Sequence, residues 1–384
     1  MNHDQPIDPR YSRQVILPGM GPGGQERLRQ ASVLIIGMGG LGSPVSLYLT
    51  AAGVGRIGLA DHDRVEPSNL HRQILHGTAS TSQPKVESAR NRLHDLNPDV
   101  ELVLHASGIS PENALELVSG YDLVIDGTDN FPTRYLINDA SWMAGKPLVY
   151  GSIFQFEGQV TVFDPRAASP CYRCLFPEPP EPGAVPNCAE AGVFGALCGI
   201  VGSWQASEAL KLLTGLGMPL TGRMKVIDTL SGRDRLVSLK KDPRCPLCGS
   251  DASIHAIHPD NYTQTCEPVP ESEPGSVSLP LEIGLREAAD LIGTLEAPLL
   301  LDVRETYERQ ICMIADDLYI PTGEIQFKWE SLPRDRHLVI YCHHGMRSLF
   351  VARFLQEKGF NRVQSLRGGI DGWSREIDPS VPRY

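Results

Sequence analysis

The stretch Ser32-Val-Leu-Ile-Ile-Gly37-Met-Gly39-Gly40-Leu-Gly42 is a short apolar run that breaks into glycines. A run of this length without polar alternation reads as a parallel strand buried on both faces. The glycines fit G-x-G-x-x-G, a turn whose backbone can approach a phosphate at the positive end of the next helix. That helix is expected over Ser43–Ala52, followed by a strand over Arg56–Ala60 that ends in Asp61. A carboxylate at that place usually holds a ribose hydroxyl, so the first candidate is a dinucleotide-dependent oxidoreductase using NAD.

Working outward, Lys85–Leu96 reads as a helix, and Val100–His105 and Leu123–Asp126 read as strands. Pro132–Ala144 has helical periodicity, and Pro147–Tyr150 reads as a strand. Strands alternating with helices define a doubly wound, mostly parallel sheet. A Pro-rich loop after residue 165 leads into one long helix over Glu190–Thr214, and Met224–Lys240 reads as a hairpin. Residues 251–280 carry prolines, acids and serines without periodicity and read as a linker. The expected division is therefore 1–250, a linker over 251–280, and a small α/β domain over 281–384. Strands of the last domain are expected at Leu299–Val303, Leu338–Tyr341 and Val363–Leu366.

The chain has 384 residues and a net charge of -11, which argues against a general nucleic-acid-binding role, since neutralising phosphates takes a basic face. Its apolar runs are short and broken by glycine or charge, so no membrane span is expected. Met1–Tyr11 lacks an apolar core of the kind an export signal needs. With nine cysteines, an odd number, the expectation is a reducing, cytoplasmic setting.

The residues after the glycine turn do not suit a dinucleotide. Asp61-His-Asp63 and Ser68-Asn69-Leu70-His71-Arg72-Gln73 are dense in polar groups, Lys85 opens a helix, and Asp129 follows a strand. Two cations and an acid able to hold Mg²⁺, all at the carboxyl edge of the sheet, suit a triphosphate.

Four cysteines form two pairs, Cys171-x-x-Cys174 and Cys245-x-x-Cys248. Two such pairs complete a tetrahedral Zn²⁺ site whose positions are all filled by sulfur, so the metal is structural. Cys188 stands between the Pro-rich loop and the long helix, where a helix N-terminus favours a thiolate. Cys198 reads as packing, and Cys266 and Cys312 have no assigned task. Cys342-His-His-Gly-Met-Arg347 follows a strand and precedes a helix expected over Leu349–Lys358. Such a loop turns backbone N–H groups inward and stabilises an anion such as a persulfide, with Arg347 adding charge. A phosphatase loop has Cys-x5-Arg, whereas this one is Cys-x4-Arg.

The first half resembles the MoeB/ThiF branch of ubiquitin-activating-type adenylyltransferases, through Arg13-Gln14, the glycine turn, Asp61 and Asp63, residues 68–73, Lys85 and Thr128-Asp129-Asn130. The resemblance covers roughly residues 9–250. It implies that ATP adenylates the C-terminal Gly-Gly carboxylate of a ubiquitin-like sulfur carrier protein similar to MoaD or ThiS. It also implies an ATP site built from Gly39, Gly40, Asp61, Asp63, Ser68, Asn69, Leu70, His71, Arg72, Lys85, Asp129 and Asn130. Within it Asp61 holds the ribose, Asn69, Arg72 and Lys85 contact phosphates, and Asp129 holds Mg²⁺. Arg13 would enter a partner copy's site, which implies a homodimer. Cys188 aligns with the family's acyl-accepting cysteine, and the metal pins the crossover loop away from the nucleotide.

Residues 281–384 resemble rhodanese domains through Leu-Leu-Leu-Asp302-Val-Arg-Glu, the Cys342 loop and Leu366-Arg-Gly-Gly-Ile-Asp-Gly-Trp373. The usual Gly-His-Ile-Pro-Gly-Ala stretch reads Ile311-Cys-Met-Ile-Ala-Asp-Asp317 here. Together these resemblances imply a Rossmann-like adenylation domain with a four-cysteine zinc site, fused to a small α/β rhodanese domain. Cys342 would be charged by a cysteine desulfurase or thiosulfate and would deliver sulfur to the activated carboxylate, most directly for molybdenum cofactor synthesis. The alternative is activation for ubiquitin-like conjugation through a Cys188 thioester.

Overall fold

A computed structural model describes residues 8–179, 192–262, 279–292, 294, 297–315 and 317–384. Cys188 and Cys266 lie outside the described residues. The described chain forms two units, one up to residue 262 and one from residue 279.

In the first unit eight strands form one sheet in the order β3-β2-β1-β4-β5-β6-β7-β8. They are β1 Ser32–Ile36, β2 Arg56–Ala60, β3 Glu101–His105, β4 Leu123–Asp126, β5 Leu148–Phe154, β6 Glu157–Phe163, β7 Arg223–Asp228 and β8 Arg233–Ser238. Strands β1 to β5 pair in parallel, and β5 to β8 form an antiparallel extension. Every residue of β1 and β4 is buried, as the unbroken apolar runs require. The helices of this unit are α1 Ser12–Val15, α2 Gly21–Gln30, α3 Gly42–Ala51, α4 Lys85–Leu96, α5 Ala114–Ser119, α6 Phe131–Met143, α7 Tyr172–Leu175 and α8 Gly195–Thr214. They give the sheet an apolar layer on each face, one built around Val33, Ile35, Leu49 and Val201 and the other around Leu34, Val124, Tyr135 and Tyr172.

The strand order reverses at β1, whose neighbours β2 and β4 lead away on opposite sides. The crevice at the carboxyl ends of such strands is where open α/β sheets bind ligands.

Packing of this unit continues beyond residue 250, into the stretch that reads from sequence as linker. Tyr262 is 7% exposed, packs against the Tyr135 layer, and donates from its hydroxyl to Asp139 Oδ2 at 2.8 Å. A buried hydroxyl on a buried carboxylate fixes this segment more firmly than its composition suggests.

The second unit has a five-stranded parallel sheet in the order β11-β10-β12-β13-β9. Its strands are β9 Glu282–Ile283, β10 Leu299–Asp302, β11 Leu318–Tyr319, β12 Leu338–Tyr341 and β13 Val363–Leu366. Its helices are α9 Leu285–Ile292, α10 Thr306–Ile311, α11 Ile325–Lys328, α12 Met346–Glu357 and α13 Gly369–Glu376. Two apolar clusters, one on Leu301, Ile340 and Val351 and one on Leu300, Tyr341 and Trp373, fill the two faces. Among the described residues no helix is long and apolar enough to cross a membrane.

Candidate functional site

The glycine turn between β1 and α3 is built as its sequence demands. Gly37 has φ +93°, and a Cβ at Gly42 would lie 1.9 Å from the Gly37 carbonyl oxygen, so neither position tolerates a side chain. Asp61, at the end of β2, closes the turn: Oδ2 accepts from Met38 N at 2.7 Å and Oδ1 from Asp63 N at 2.8 Å. An ionised carboxylate has about four acceptor sites, which leaves capacity for a ribose hydroxyl.

From α4, Lys85 sends its ammonium to Asp63 Oδ2 at 2.8 Å; its side chain is 7% exposed while that of Asp63 is 55% exposed. The pair aims a compact cation at the sheet edge and leaves further N–H donors on the nitrogen. Arg72 lies beside the turn, its Cδ 3.7 Å from the place of a Gly40 Cβ. It donates to Ser68 O at 3.1 Å and to His71 Nε2 at 2.8 Å. A guanidinium only donates, so this His71 nitrogen is an acceptor and the ring is neutral. Burial and the Arg72 charge both lower the His71 pKa.

Ser68, Asn69 and Leu70 belong to a one-turn segment locked by reciprocal bonds between Glu66 and Asn69. Asp129 is exposed in the loop after β4, and Asn130 caps α6 by accepting from Thr133 N at 3.0 Å. Arg13 is exposed on α1. The first turn of α8 packs on this edge: a Cβ at Gly195 would meet His71 O at 2.6 Å, and Cys198 Sγ sits 2.8 Å from the place of a Gly40 Cβ. Cys198 is thus a packing residue beneath the turn.

Two supporting residues escape the sequence reading. His76 is buried and bonds Met38 O and Ser88 Oγ, each at 2.9 Å, tying the glycine turn to α4. Asp126 is 1% exposed and accepts from both Thr128 N (2.9 Å) and Thr128 Oγ (2.6 Å), which shapes the loop carrying Asp129. Burial raises the Asp126 pKa despite Arg134 and Thr128 nearby. Asp-x-Thr is the local signal that could have found it.

The cysteine pairs meet. Sγ of Cys171 lies 4.0 Å from Cys174 and 3.5 Å from Cys245, and Cys174 lies 3.3 Å from Cys248. All four thiols are free, and their sulfurs lie within 4.8 Å of one another. Sulfurs at about 2.3 Å from a tetrahedral centre would be about 3.8 Å apart, so the set fits a metal ion. The first pair is anchored to α6, with Tyr172 N donating to Asn138 Oδ1 at 2.9 Å and Arg173 bonding buried Asp139 at 2.7 Å.

In the second unit Cys342 directly follows β12 and is buried. Gly345, at φ +98°, turns the loop so that its N–H donates to Cys342 Sγ at 3.1 Å, with Ser348 Oγ at 3.6 Å. The following helix begins at Met346, earlier than the apolar pattern suggests, because the left-handed glycine releases the chain straight into it. The Cys342 sulfur therefore faces the Gly345 N–H, the Ser348 hydroxyl and the N-terminal turn of α12, a setting that suits a sulfur-borne negative charge.

Arg347 does not stand as a lone charge beside Cys342. It forms a two-bond ion pair with Glu308, at 2.7 and 2.8 Å, with both side chains at most 5% exposed. Burial raises the Glu308 pKa, but the Arg347 pair outweighs it and the net shift is downward. A depressed folded-state pKa gives stability that is present above the unfolded value and lost as pH falls through the folded one. Glu308→Ala is expected to destabilise the second unit by about 3–5 kcal/mol at neutral pH, because it removes the two-bond carboxylate partner of a buried guanidinium. The variant also loses part of the wild-type decline in stability as pH drops below about 4.5. Denaturant melts across pH check both.

Residues 11–247 match the ThiF family and residues 285–376 the rhodanese-like domain. The chain belongs to the ThiF family and carries a rhodanese-like domain after it. It is 42% identical over 384 residues to the probable adenylyltransferase/sulfurtransferase MoeZ of Mycobacterium tuberculosis, covering 98% of this chain and 95% of that one. It is 55% identical over 246 residues to the sulfur carrier protein adenylyltransferase of Thermus thermophilus, covering 63% of this chain and 91% of that one. Crystalline E. coli MccB in complex with MccA-N7isoASN shares the fold, with TM-score 0.57, 22% identity, and coverage of 64% of this chain and 76% of the other. The protein is an enzyme with adenylyltransferase and sulfurtransferase activities, and the dinucleotide reading of its glycine turn gives way to adenylyl transfer from ATP.

Proposed function

We propose that the first unit adenylates the C-terminal Gly-Gly carboxylate of a ubiquitin-like sulfur carrier and that Cys342 then supplies sulfur to it. The observation that carries this reading is the convergence of the glycine turn, Asp61 and the Lys85–Asp63 pair at one sheet edge. ATP would lie across Gly39 and Gly40 with its ribose on Asp61. Asn69, Arg72 and Lys85 would meet the phosphates, and Ser68, Leu70, His71 and Asn130 would complete the wall. Asp129, an exposed carboxylate in the loop after β4, suits Mg²⁺ shared with substrate phosphates. Arg13 would reach the nucleotide of a second copy in a homodimer; Ile16 and Leu17, 69% and 54% exposed beside it, form an apolar surface suited to such a contact.

In this scheme a carboxylate oxygen attacks the α-phosphorus and pyrophosphate leaves. The terminal sulfur of a Cys342 persulfide then attacks the acyl carbon, and AMP leaves with the bonding pair. Attack of the Cys188 thiolate on Cys342 Sγ would release the thiocarboxylate and leave a Cys188–Cys342 disulfide, reopened by a thiol reductant. The sulfur comes from a cysteine desulfurase or thiosulfate, and molybdenum cofactor synthesis is the leading destination. Reduced cysteines suit the cytoplasm.

ATP–pyrophosphate exchange tests the first step. Exchange is expected only when a small Gly-Gly-ended protein is present; if no member of a set of such proteins stimulates it, adenylation of a carrier is wrong. Accumulation of a stable carrier thioester on Cys188 would favour the conjugation reading instead.

The four thiols suit Zn²⁺ as a structural ion, since no ligand position is left for substrate. Metal analysis is expected to find one zinc per chain. Cys245→Ser should lose it and lower the unfolding midpoint of the first unit by roughly 10 °C, the shift that about 3 kcal/mol produces in a domain of this size. Full stability without bound metal would contradict the assignment.

A further inference from the structure

We propose that Tyr384 is a positioning residue for the Cys342 loop, holding it through a hydroxyl bridge and a ring stack. Two buried ion pairs lie behind that loop, Asp302–Arg304 at 2.7 Å and Glu308–Arg347 at 2.7 Å. The Tyr384 hydroxyl joins them: it accepts from Arg304 Nη1 at 2.9 Å and donates to Glu308 Oε1 at 3.0 Å. Burial pushes the phenol pKa up, so the oxygen keeps the proton it donates. A chain of donors running from one pair to the other polarises each bond in it.

The ring does separate work. It stacks on His343 at 4.3 Å with an interplanar angle of 8°, while His344 stacks on the imidazole at 3.9 Å. His343 directly follows the sulfur-bearing residue, so fixing its ring fixes the peptide between them. The same stretch of chain grips the loop a second time: Arg383 Nε bonds Asp371 Oδ1 at 3.0 Å, and Asp371 N donates to His343 O at 3.0 Å. Hydrogen-bond donors around a sulfur anion act only when aimed, and small errors in aim cost rate. The contacts of Tyr384 are to His343, Glu308 and Arg304, and its effect on chemistry passes through them.

The proposal rests on the reading of Cys342 as sulfur carrier. The test uses the full chain with thiosulfate as donor and cyanide as acceptor, alongside ATP–pyrophosphate exchange as a control on the first unit. Tyr384→Leu is expected to lower kcat for sulfur transfer about tenfold with KM for thiosulfate unchanged. Tyr384→Phe, which keeps the stack and removes only the bridge, is expected to lose about threefold.

A spectroscopic readout separates positioning from bulk destabilisation. Burial first, then the neighbouring His344, pushes the His343 pKa down to about 4, with Glu308 and Asp371 raising it and Arg347 lowering it. In Tyr384→Leu, NMR should show His343 titrating closer to the ordinary value of about 6.5, because the ring that covers it is gone. Transfer within twofold of wild type in Tyr384→Leu, with Cys342→Ala inactive, would overturn the proposal. Should Tyr384→Leu fail to fold, Tyr384→Phe decides, and a wild-type kcat overturns it. A Cys342→Ala protein that still transfers sulfur would instead remove the reading on which the proposal stands.

Discussion

Cys342→Ala is expected to abolish sulfur transfer while leaving ATP–pyrophosphate exchange at the wild-type rate. The expected loss is about four orders of magnitude or more, the scale seen when a covalent nucleophile is removed. Nothing else described in the second unit can take its place. Cys312, the other described cysteine of that unit, follows α10, and the Gly345 N–H and Ser348 hydroxyl that face the sulfur are directed at Cys342 instead. Folding should survive, because the substitution removes one sulfur contacted by Gly345 N and Ser348 Oγ and leaves the Glu308–Arg347 pair intact. Cys342→Ser should be equally inactive, since a hydroxyl carries no transferable sulfur. Sulfur transfer in either variant near the wild-type rate would move the carrier elsewhere.

Lys85→Met is expected to cut carrier-stimulated exchange by about 10²–10³-fold while sulfur transfer from thiosulfate to cyanide is unchanged. The size follows from removing one preorganised charge beside the phosphates in the ATP placement proposed above. The side chain is 7% exposed and its partner Asp63 is 55% exposed, so the substitution leaves behind a solvated carboxylate. The fold is therefore not expected to fail for want of an ion pair. Lys85→Arg should recover little, because a planar guanidinium cannot occupy the place of a compact ammonium held at 2.8 Å from Asp63. Exchange in Lys85→Met within a few-fold of wild type would mean that the phosphates lie elsewhere.

How much of this is legible in the sequence depends on how local the cause is. Strands β1, β2 and β4 read clearly because burial on both faces writes continuous apolar runs. Strand β6 carries no such signal: the chain reverses at Gln155, which adopts φ +52° without the glycine that usually marks such a turn. The long helix is expected from Glu190, whereas the helical residues begin at Gly195; Gly192 to Phe194 lie outside the helix, and Phe194 N bonds Gln155 O at 3.1 Å. That pairing spans nearly forty residues and leaves no mark in either segment. The charge expected from Arg347 is another case, since its partner Glu308 stands on a different helix. The cysteine cluster is readable because two short spacings specify it. Its anchorage through Arg173, Asp139 and Tyr262 is not, because a buried polar network joins residues distant in sequence.

In the proposed scheme one chain both activates a carboxylate and delivers sulfur to it. Intact-mass measurement of a Gly-Gly-ended small protein, incubated with the full chain, MgATP and thiosulfate, tests this most directly. Replacement of one carboxylate oxygen by sulfur is expected on that protein, lost in both Lys85→Met and Cys342→Ala. Conversion that persists undiminished in Cys342→Ala, or a carrier that is adenylated yet never gains sulfur, would contradict it.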